Sequence, residues 1–267
     1  MKTVTVVLPR NLDSIELHTF SDWHIGDKFC AMDKIRTEIE YVKLKENAYV
    51  ILNGDLLNNA TKASVSDSYA EQLTPMEQIN LAVELLSPIK DKILIATTGN
   101  HEARTYRADG IDLTAIIMKQ LGLADRYVRE GGLLFIKVGE YNRAKNHCNT
   151  QRPSVRTQVL YSIYITHGSG GGRKEGAKAI RLADMASICD ADIYVHSHTH
   201  LPMIMKEAMY RTDMSNCSIK KVDKLFVNTA AKLRYGGYGQ TYEFKPSSKA
   251  NPVIYLSGQQ KLFTAKM

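Results

Sequence analysis

Thr98-Gly99-Asn100-His101-Glu102 is the stretch around which the chain is organised. It follows Ile93-Leu94-Ile95-Ala96, a short apolar run that reads as a buried strand. The strand ends by delivering an amide, an imidazole and a carboxylate at consecutive positions. Gly99 supplies a backbone geometry that a residue with a Cβ resists. Four further stretches repeat this layout. They are Asp22-Trp23-His24 after the run 15–20, Gly54-Asp55-Leu56-Leu57-Asn58 after 49–52, His167-Gly168 after 161–165, and His196-Ser197-His198-Thr199-His200 after 193–195. In open α/β sheets, ligands bind beyond the carboxyl ends of the strands. Strand ends bearing Asp, Asn and His in this order predict one shared site.

The intervening segments fit an α/β chain. Ile35, Ile39 and Val42 recur at helical spacing, which predicts a helix over 32–46. Thr74-Pro75-Met76-Glu77 opens a second helix: Thr74 caps, Glu77 reaches back, Pro75 suits the first position, and Pro88 stops it. A third helix spans 112–121 and ends at Gly122, and a fourth spans 177–188. The runs 133–138 and 159–165 read as a long hairpin, and 225–228 and 253–256 as closing strands. Residues 1–14 form a short edge strand, 59–73 a polar loop or short helix over the site, and 203–224 an insertion or hairpin without clear periodicity. The basic segment 139–158 is a solvated loop or a substrate-contacting arm. Ser169-Gly170-Gly171-Gly172-Arg173-Lys174 is a flexible connection or a phosphate cradle, because its backbone N–H groups can approach an anion.

With 267 residues, 44% of them hydrophobic, the chain is long enough for one sizeable core, and a single domain over 1–267 is expected. Its motif-bearing part is 15–202, with closing strands in 225–267. No apolar run reaches the roughly 20 residues of a membrane span, and the first residues lack a signal-peptide core, so a cytoplasmic protein is expected. Cys30, Cys148, Cys189 and Cys217 show no paired spacing and read as free thiols. The net charge of +7 favours phosphate or nucleic-acid partners, and is equally common without any.

Imidazole and carboxylate together suit divalent transition metals. Two ions about 3.5–4 Å apart clamp the attacking and leaving oxygens of a phosphoryl displacement. Such a pair needs about seven ligands, and Asp22, His24, Asp55, Asn100, His167, His198 and His200 supply that count. At this point the sequence resembles the calcineurin-like metallophosphoesterase superfamily. That family's blocks (Asp-x-His, Gly-Asp-x-x-Asp, Gly-Asn-His-Glu/Asp, His, and Gly-His-x-His) occur here in order over 22–200. The resemblance implies a four-layer α/β sandwich, two mixed β-sheets flanked by helices. It implies that Asp22, His24 and His200 hold one metal, that Asn100, His167 and His198 hold the other, and that Asp55 bridges them. His101 would touch the phosphate and protonate the leaving oxygen, with a metal-bound hydroxide as nucleophile. Manganese is the preferred metal, with iron and zinc admitted by the same ligands.

Two positions depart from the family pattern. Ser197 stands where Gly is usual, and its small size lets the turn survive. Asn58 stands where an aspartate often orients the catalytic histidine, and an amide stabilises an imidazolium less than a carboxylate does. Asn59 follows, where phosphatases of the family often carry an arginine for the monoester dianion. Arg104 or Arg107 is the candidate substitute for that arginine, and Arg104 and Arg173 are the candidate substrate contacts. The expectation is therefore a phosphodiesterase acting on DNA, RNA or nucleotides. The alternatives are a phosphomonoesterase acting on a nucleotide or phosphoprotein, and a metal-stabilised binding protein without turnover. His196 is expected to be packed and hydrogen-bonded, and Glu102 to hold backbone or a basic group.

Overall fold

The computed structural model describes residues 1–9, 11–62, 64, 68–138, 158–170, 172 and 174–267. Arg173, Cys148 and nearly all of the basic segment 139–158 lie outside them.

Among the described residues, eleven strands form two mixed sheets. The six-stranded sheet runs in the order β1 (Lys2–Leu8), β5 (Gly132–Val138), β6 (Val159–Ile165), β7 (Ile193–His196), β9 (Ser218–Asn228), β8 (Met203–Asp213). The five-stranded sheet runs β11 (Phe263–Lys266), β10 (Val253–Ser257), β2 (Ser14–Phe20), β3 (Ala48–Asn53), β4 (Ile93–Thr97). Within the second sheet β2, β3 and β4 are parallel, and within the first β6, β7 and β9 are parallel. Parallel strands need crossover connections, and their carboxyl ends therefore gather at one edge.

The two sheets face each other across one core. Ile15, Leu17, Ile51 and Ile95 from the smaller sheet meet Leu134, Ile136, Ile163, Val195 and Val227 from the larger. The outer face of the smaller sheet packs under α1 (Met32–Leu44), α2 (Pro75–Leu86) and α4 (Leu113–Gln120), burying Ile35, Ile39, Ile79, Ala82 and Ile117. On the far side α5 (Glu175–Asp184) sets Leu182 against Tyr164, Tyr194 and Phe226. The result is the four-layer α/β sandwich of two mixed β-sheets flanked by helices.

The cap of α2 is the one expected. Thr74 Oγ1 accepts from Glu77 N, the Glu77 carboxylate accepts from Thr74 N, and Pro75 starts the helix. Thr74→Ala is expected to cost about 1 kcal/mol in a thermal melt, because the helix-end N–H of Glu77 loses its acceptor.

Two elements depart from the sequence reading, and a third resolves an alternative. Of the two readings of 203–224, insertion or hairpin, the structure has the hairpin, part of two 11-residue strands, β8 and β9. Most of β8 is exposed, so no alternating pattern marks it. Residues after the central motif form a helix, α3 (Glu102–Asp109), whose only buried residue is Glu102; without an apolar stripe it carries no periodic signal. The fourth helix is shorter than expected, ending at Asp184 and continuing as a single 3-10 turn. A last short helix, α6 (Gly237–Thr241), precedes β10.

Candidate metal centre

The loops leaving β2 and β3 are zipped together by backbone. Asp22 N donates to Gly54 O, Trp23 N and His24 N both donate to Asp55 O, and Ile25 N donates to Leu56 O. On the other sheet, Thr166 N donates to Val195 O and Ser197 N to His167 O. Asn53, the last residue of β3, joins the two halves. Its Nδ2 donates to Thr166 O at 2.9 Å and to Ser197 Oγ at 2.7 Å, and its carbonyl takes His167 Nδ1 at 2.7 Å. Ser197 is thus accommodated in the turn, and its hydroxyl is used. Ser197→Ala is expected to destabilise by about 1 kcal/mol, the worth of one buried hydrogen bond, readable by denaturant titration.

These loops bring the sequence-nominated ligands together. Asp22, His24 and His200 form one group of ligand atoms lying within 4.8 Å of one another, and Asp55, His167 and His198 form a second. Asp55 also belongs to a third group with His24 and His101. Asp55 therefore stands between the two sides. Asn100 Oδ1 lies 3.1 Å from His167 Nε2, which is itself 3.1 Å from Asp55 Oδ2. His200 Nε2 is 3.1 Å from Asp22 Oδ1 and 3.4 Å from His24 Nε2.

These spacings suit ligands gathered around a cation as well as they suit hydrogen bonds. Asp22 Oδ1 is buried, with His200 Nε2 at 3.1 Å. The His24–His200 separation is long for an N–H···N bond. Ligands bonded at about 2.0–2.1 Å lie roughly 3.0–3.4 Å apart around one ion. With its Nδ1 proton donated to Asn53 O, His167 would turn an Nε2 lone pair toward a cation once the Nε2 proton leaves. The donor set of imidazole, carboxylate and amide is one that divalent metals accept.

Backbone strain concentrates at the same place. Eight non-glycine residues among those described have positive φ, and six of them are Asp22, His24, Asp55, Asn59, His198 and His200. Each costs about 1–3 kcal/mol and persists only where surrounding structure fixes it. Gly54, at φ +80°, allows the turn that passes Gly99 N and His167 Nδ1.

Electrostatics favours charged Asp22 and Asp55 and neutral His24 and His198, whereas Asp55 keeps His167 protonated in the metal-free protein. Burial works against the Asp55 charge, but His167 and His101 outweigh it and hold its carboxyl well below the usual range. Burial likewise opposes the charge on Asp22, and His200 brings it down to about 2. Burial, then His101, pushes His24 well below its ordinary value; burial, then His167, takes His198 down to about 4. Glu102, pushed up to about 7 by burial and by Asp55, accepts from Asp55 N at 3.1 Å, Leu57 N at 2.9 Å and Gly99 N at 2.9 Å. It is a backbone clasp between the second and third motifs.

His101 Nε2 is 3.8 Å from Asp55 Oδ2, and its Nδ1 is 2.7 Å from the carbonyl of Asn58. The contact that orients the ring is thus main-chain. The Asn58 side chain turns away to Glu71 at 2.6 Å. Arg104 Nη1 reaches Asn58 O at 3.2 Å and Asn59 O at 3.3 Å, so this nominated substrate contact is engaged with backbone. Arg173 lies outside the described residues. His196 is packed as expected, with Nδ1 2.9 Å from Asn228 Oδ1. Asn228 in turn donates to Thr199 Oγ1 and Leu201 O and so braces the His198–His200 loop. Lys178 Nζ holds Thr199 O at 2.8 Å. Neither Asn228 nor Lys178 is signalled by local sequence, nor is the use of Asn53, because each acts across the fold.

A family model for calcineurin-like phosphoesterases matches residues 18–202, more than half of the chain. The chain belongs to the calcineurin-like phosphoesterase family. No curated protein matches it. Among solved structures it is similar to a conserved uncharacterised protein of Streptococcus pneumoniae TIGR4, described as a predicted phosphoesterase, at 14% identity over 95% of this chain and 97% of the other, with a TM-score of 0.35. It is also similar to Vps29 of Entamoeba histolytica complexed with zinc, at 11% identity over 91% and 86%, with a TM-score of 0.37. Both likenesses are too distant to bear on activity. Membership of the family makes phosphate esters the substrate class and divalent metals the cofactors. No helix among the described residues is long and apolar enough to cross a membrane.

Proposed function

We propose that the chain is a phosphodiesterase acting on nucleic acid or nucleotides through a dinuclear centre. In this reading Asp22, His24 and His200 hold one cation, Asn100, His167 and His198 hold the other, and Asp55 bridges them. Manganese is preferred, then iron or zinc. Bound divalent cations supply Lewis acidity and a nucleophile at neutral pH. The chain's own task is then proton delivery. The Asn58 carbonyl fixes His101 Nδ1, leaving Nε2 to carry a proton to the leaving oxygen. Burial lowers the His101 pKa, while Asp55 and that carbonyl act in the opposite direction.

Asn59 carries the preference for diesters. It is fully buried, and its Nδ2 is committed to His101 O at 2.7 Å and Thr105 Oγ1 at 2.9 Å. A neutral, engaged amide at this position offers nothing to the second charge of a monoester dianion. A diester, with one negative charge, does not need it. Metal-stripped protein reloaded with manganese is expected to hydrolyse bis-p-nitrophenyl phosphate faster than p-nitrophenyl phosphate. The reverse order would make it a monoesterase, and no turnover with two metals bound would favour a binding role.

Metal loading is also expected to release protons. Burial opposes a charge on His167, but Asp55 outweighs it and raises the imidazole to about 10 in the metal-free protein. A cation needs the Nε2 lone pair, so loading at neutral pH expels about one proton from this residue. Affinity should therefore rise with pH, levelling off near 10. Calorimetric titration in two buffers of different ionisation enthalpy counts the protons; none released would remove His167 from the ligand set.

A further inference from the structure

We propose that Glu71 is a positioning residue for His101, acting through the main chain of Asn58; this rests on His101 being the proton donor proposed above. Glu71 comes from the polar segment before α2, well away in sequence from the metal-binding motifs. Its Oε1 accepts from Asn58 Nδ2 at 2.6 Å, and its Oε2 accepts from Ala60 N at 3.0 Å and Gln78 Nε2 at 2.7 Å. One carboxylate therefore grips the chain on both sides of Asn59, by the side chain of Asn58 and the backbone N–H of Ala60.

The peptide between those two grips holds the imidazole. Asn58 O accepts from His101 Nδ1 at 2.7 Å. The direction of that carbonyl is set by the backbone at Asn58 and Asn59, and Asn59 sits at φ +43°, a conformation disfavoured for a residue with a Cβ. Buried Gln78, on α2, completes the clamp. Its Oε1 accepts from Asn59 N at 2.9 Å, and its Nε2 donates to Leu73 O as well as to Glu71. Without the carboxylate, Asn59 can relax and the carbonyl turns from the ring.

The chemistry of the clamp calls for an acid at position 71. All three groups facing it are N–H donors: an amide nitrogen, a backbone nitrogen and a second amide nitrogen. Two acceptor oxygens satisfy them. A glutamine of the same shape has one oxygen, and its NH₂ would face at least one donor. Asn58 is thereby accounted for as well. An amide can donate to Glu71, whereas an aspartate at position 58 would set two carboxylates 2.6 Å apart.

The test combines a mutant cycle with a direct reading of the ring. Hydrolysis by E71Q, H101A and the double variant, each loaded with manganese, is compared on a p-nitrophenyl diester and on an alkyl diester whose leaving oxygen needs a proton. E71Q is expected to lose about tenfold or more in kcat on the alkyl ester, with KM and metal content unchanged and little loss on the nitrophenyl ester. In the H101A background the same change should add nothing. Nitrogen-15 NMR of the zinc-loaded protein, with the His101 ring assigned by its disappearance in H101A, should show the Nδ1–H tautomer in the parent and a mixed one in E71Q. Equal rates and an unchanged tautomer in E71Q, alongside a selective loss in H101A, would overturn the role of Glu71 and leave that of His101 standing. A non-selective H101A would overturn the proton-donor reading, and the positioning role with it.

Discussion

Asp55→Ala is expected to remove both cations and reduce hydrolysis by at least about 10³-fold, because one side chain serves both halves of the centre. Asp55 lies in a ligand group with His167 and His198 and in another with His24 and His101. Its two oxygens are also used structurally: Oδ1 accepts from His101 N at 2.9 Å, and Oδ2 lies 3.1 Å from His167 Nε2. Alanine at this position leaves two clusters of imidazoles without the negative charge between them. Neutral histidines bind divalent ions less tightly than a set that includes a carboxylate, and two cations close together repel without a bridge. The fold should survive, because Asp55 N and O are main-chain partners of Glu102, Trp23 and His24 and do not depend on the side chain. Elemental analysis after dialysis reads metal content directly, and circular dichroism reads the fold. Two metals retained per chain, with activity lost, would place the bridge elsewhere.

The positions proposed as ligands were legible because a simple rule produces them. Short apolar runs end in Asp, Asn or His, and the parallel strands of both sheets put those ends at one edge. The supports for the ligands were not legible. Asn53, Asn59, Glu71, Gln78 and Asn228 hold ligand loops from the ends of strands, from a polar segment and from a helix, and none has a local pattern that marks it. The hydrogen bonds named for them join residues between 5 and 144 positions apart. A polar residue's commitment depends on what the fold brings to it, and single-sequence periodicity reports only which face is apolar. The same limit explains α3 and the hairpin of β8 and β9. α3 and β8 bury no continuous apolar stripe, and β9 buries one only at its end, where 225–228 was legible, so propensity and tertiary context decide the rest. Asn58 shows a subtler limit. Residue type suggested a side-chain contact with His101, while the fold uses the carbonyl that every residue possesses.

Gly99→Ala is expected to disable the centre almost as fully as loss of a ligand, although it removes no functional atom. The sequence suggested that Gly99 was needed for its backbone conformation. Its φ is not in the left-handed region, and the requirement is space. A Cβ there would stand 2.0 Å from Asp55 Oδ1 and 2.2 Å from Asp55 N, contacts that no rotamer can relieve. Gly99 N is also bonded to Glu102, which clasps Asp55 and Leu57, so the motif cannot retreat without breaking that clasp. Relief must come from separating residues 99–101 from Asp55. That moves Asn100 away from His167 and takes His101 N from Asp55 Oδ1. Overpacking of this kind costs about 1–3 kcal/mol. A displacement of about 1 Å at a reacting centre costs on the order of 10²-fold in rate. Gly99→Ala should therefore lower the melting temperature, weaken metal binding on the Asn100 and His167 side, and cut turnover at least about 100-fold. The pattern differs from Asp55→Ala, where stability is largely kept and both metals are lost. A Gly99→Ala protein with normal stability, two metals and normal turnover would show that the third motif can shift without consequence, and that the close approach of Gly99 to Asp55 is not what holds the two halves of the site together.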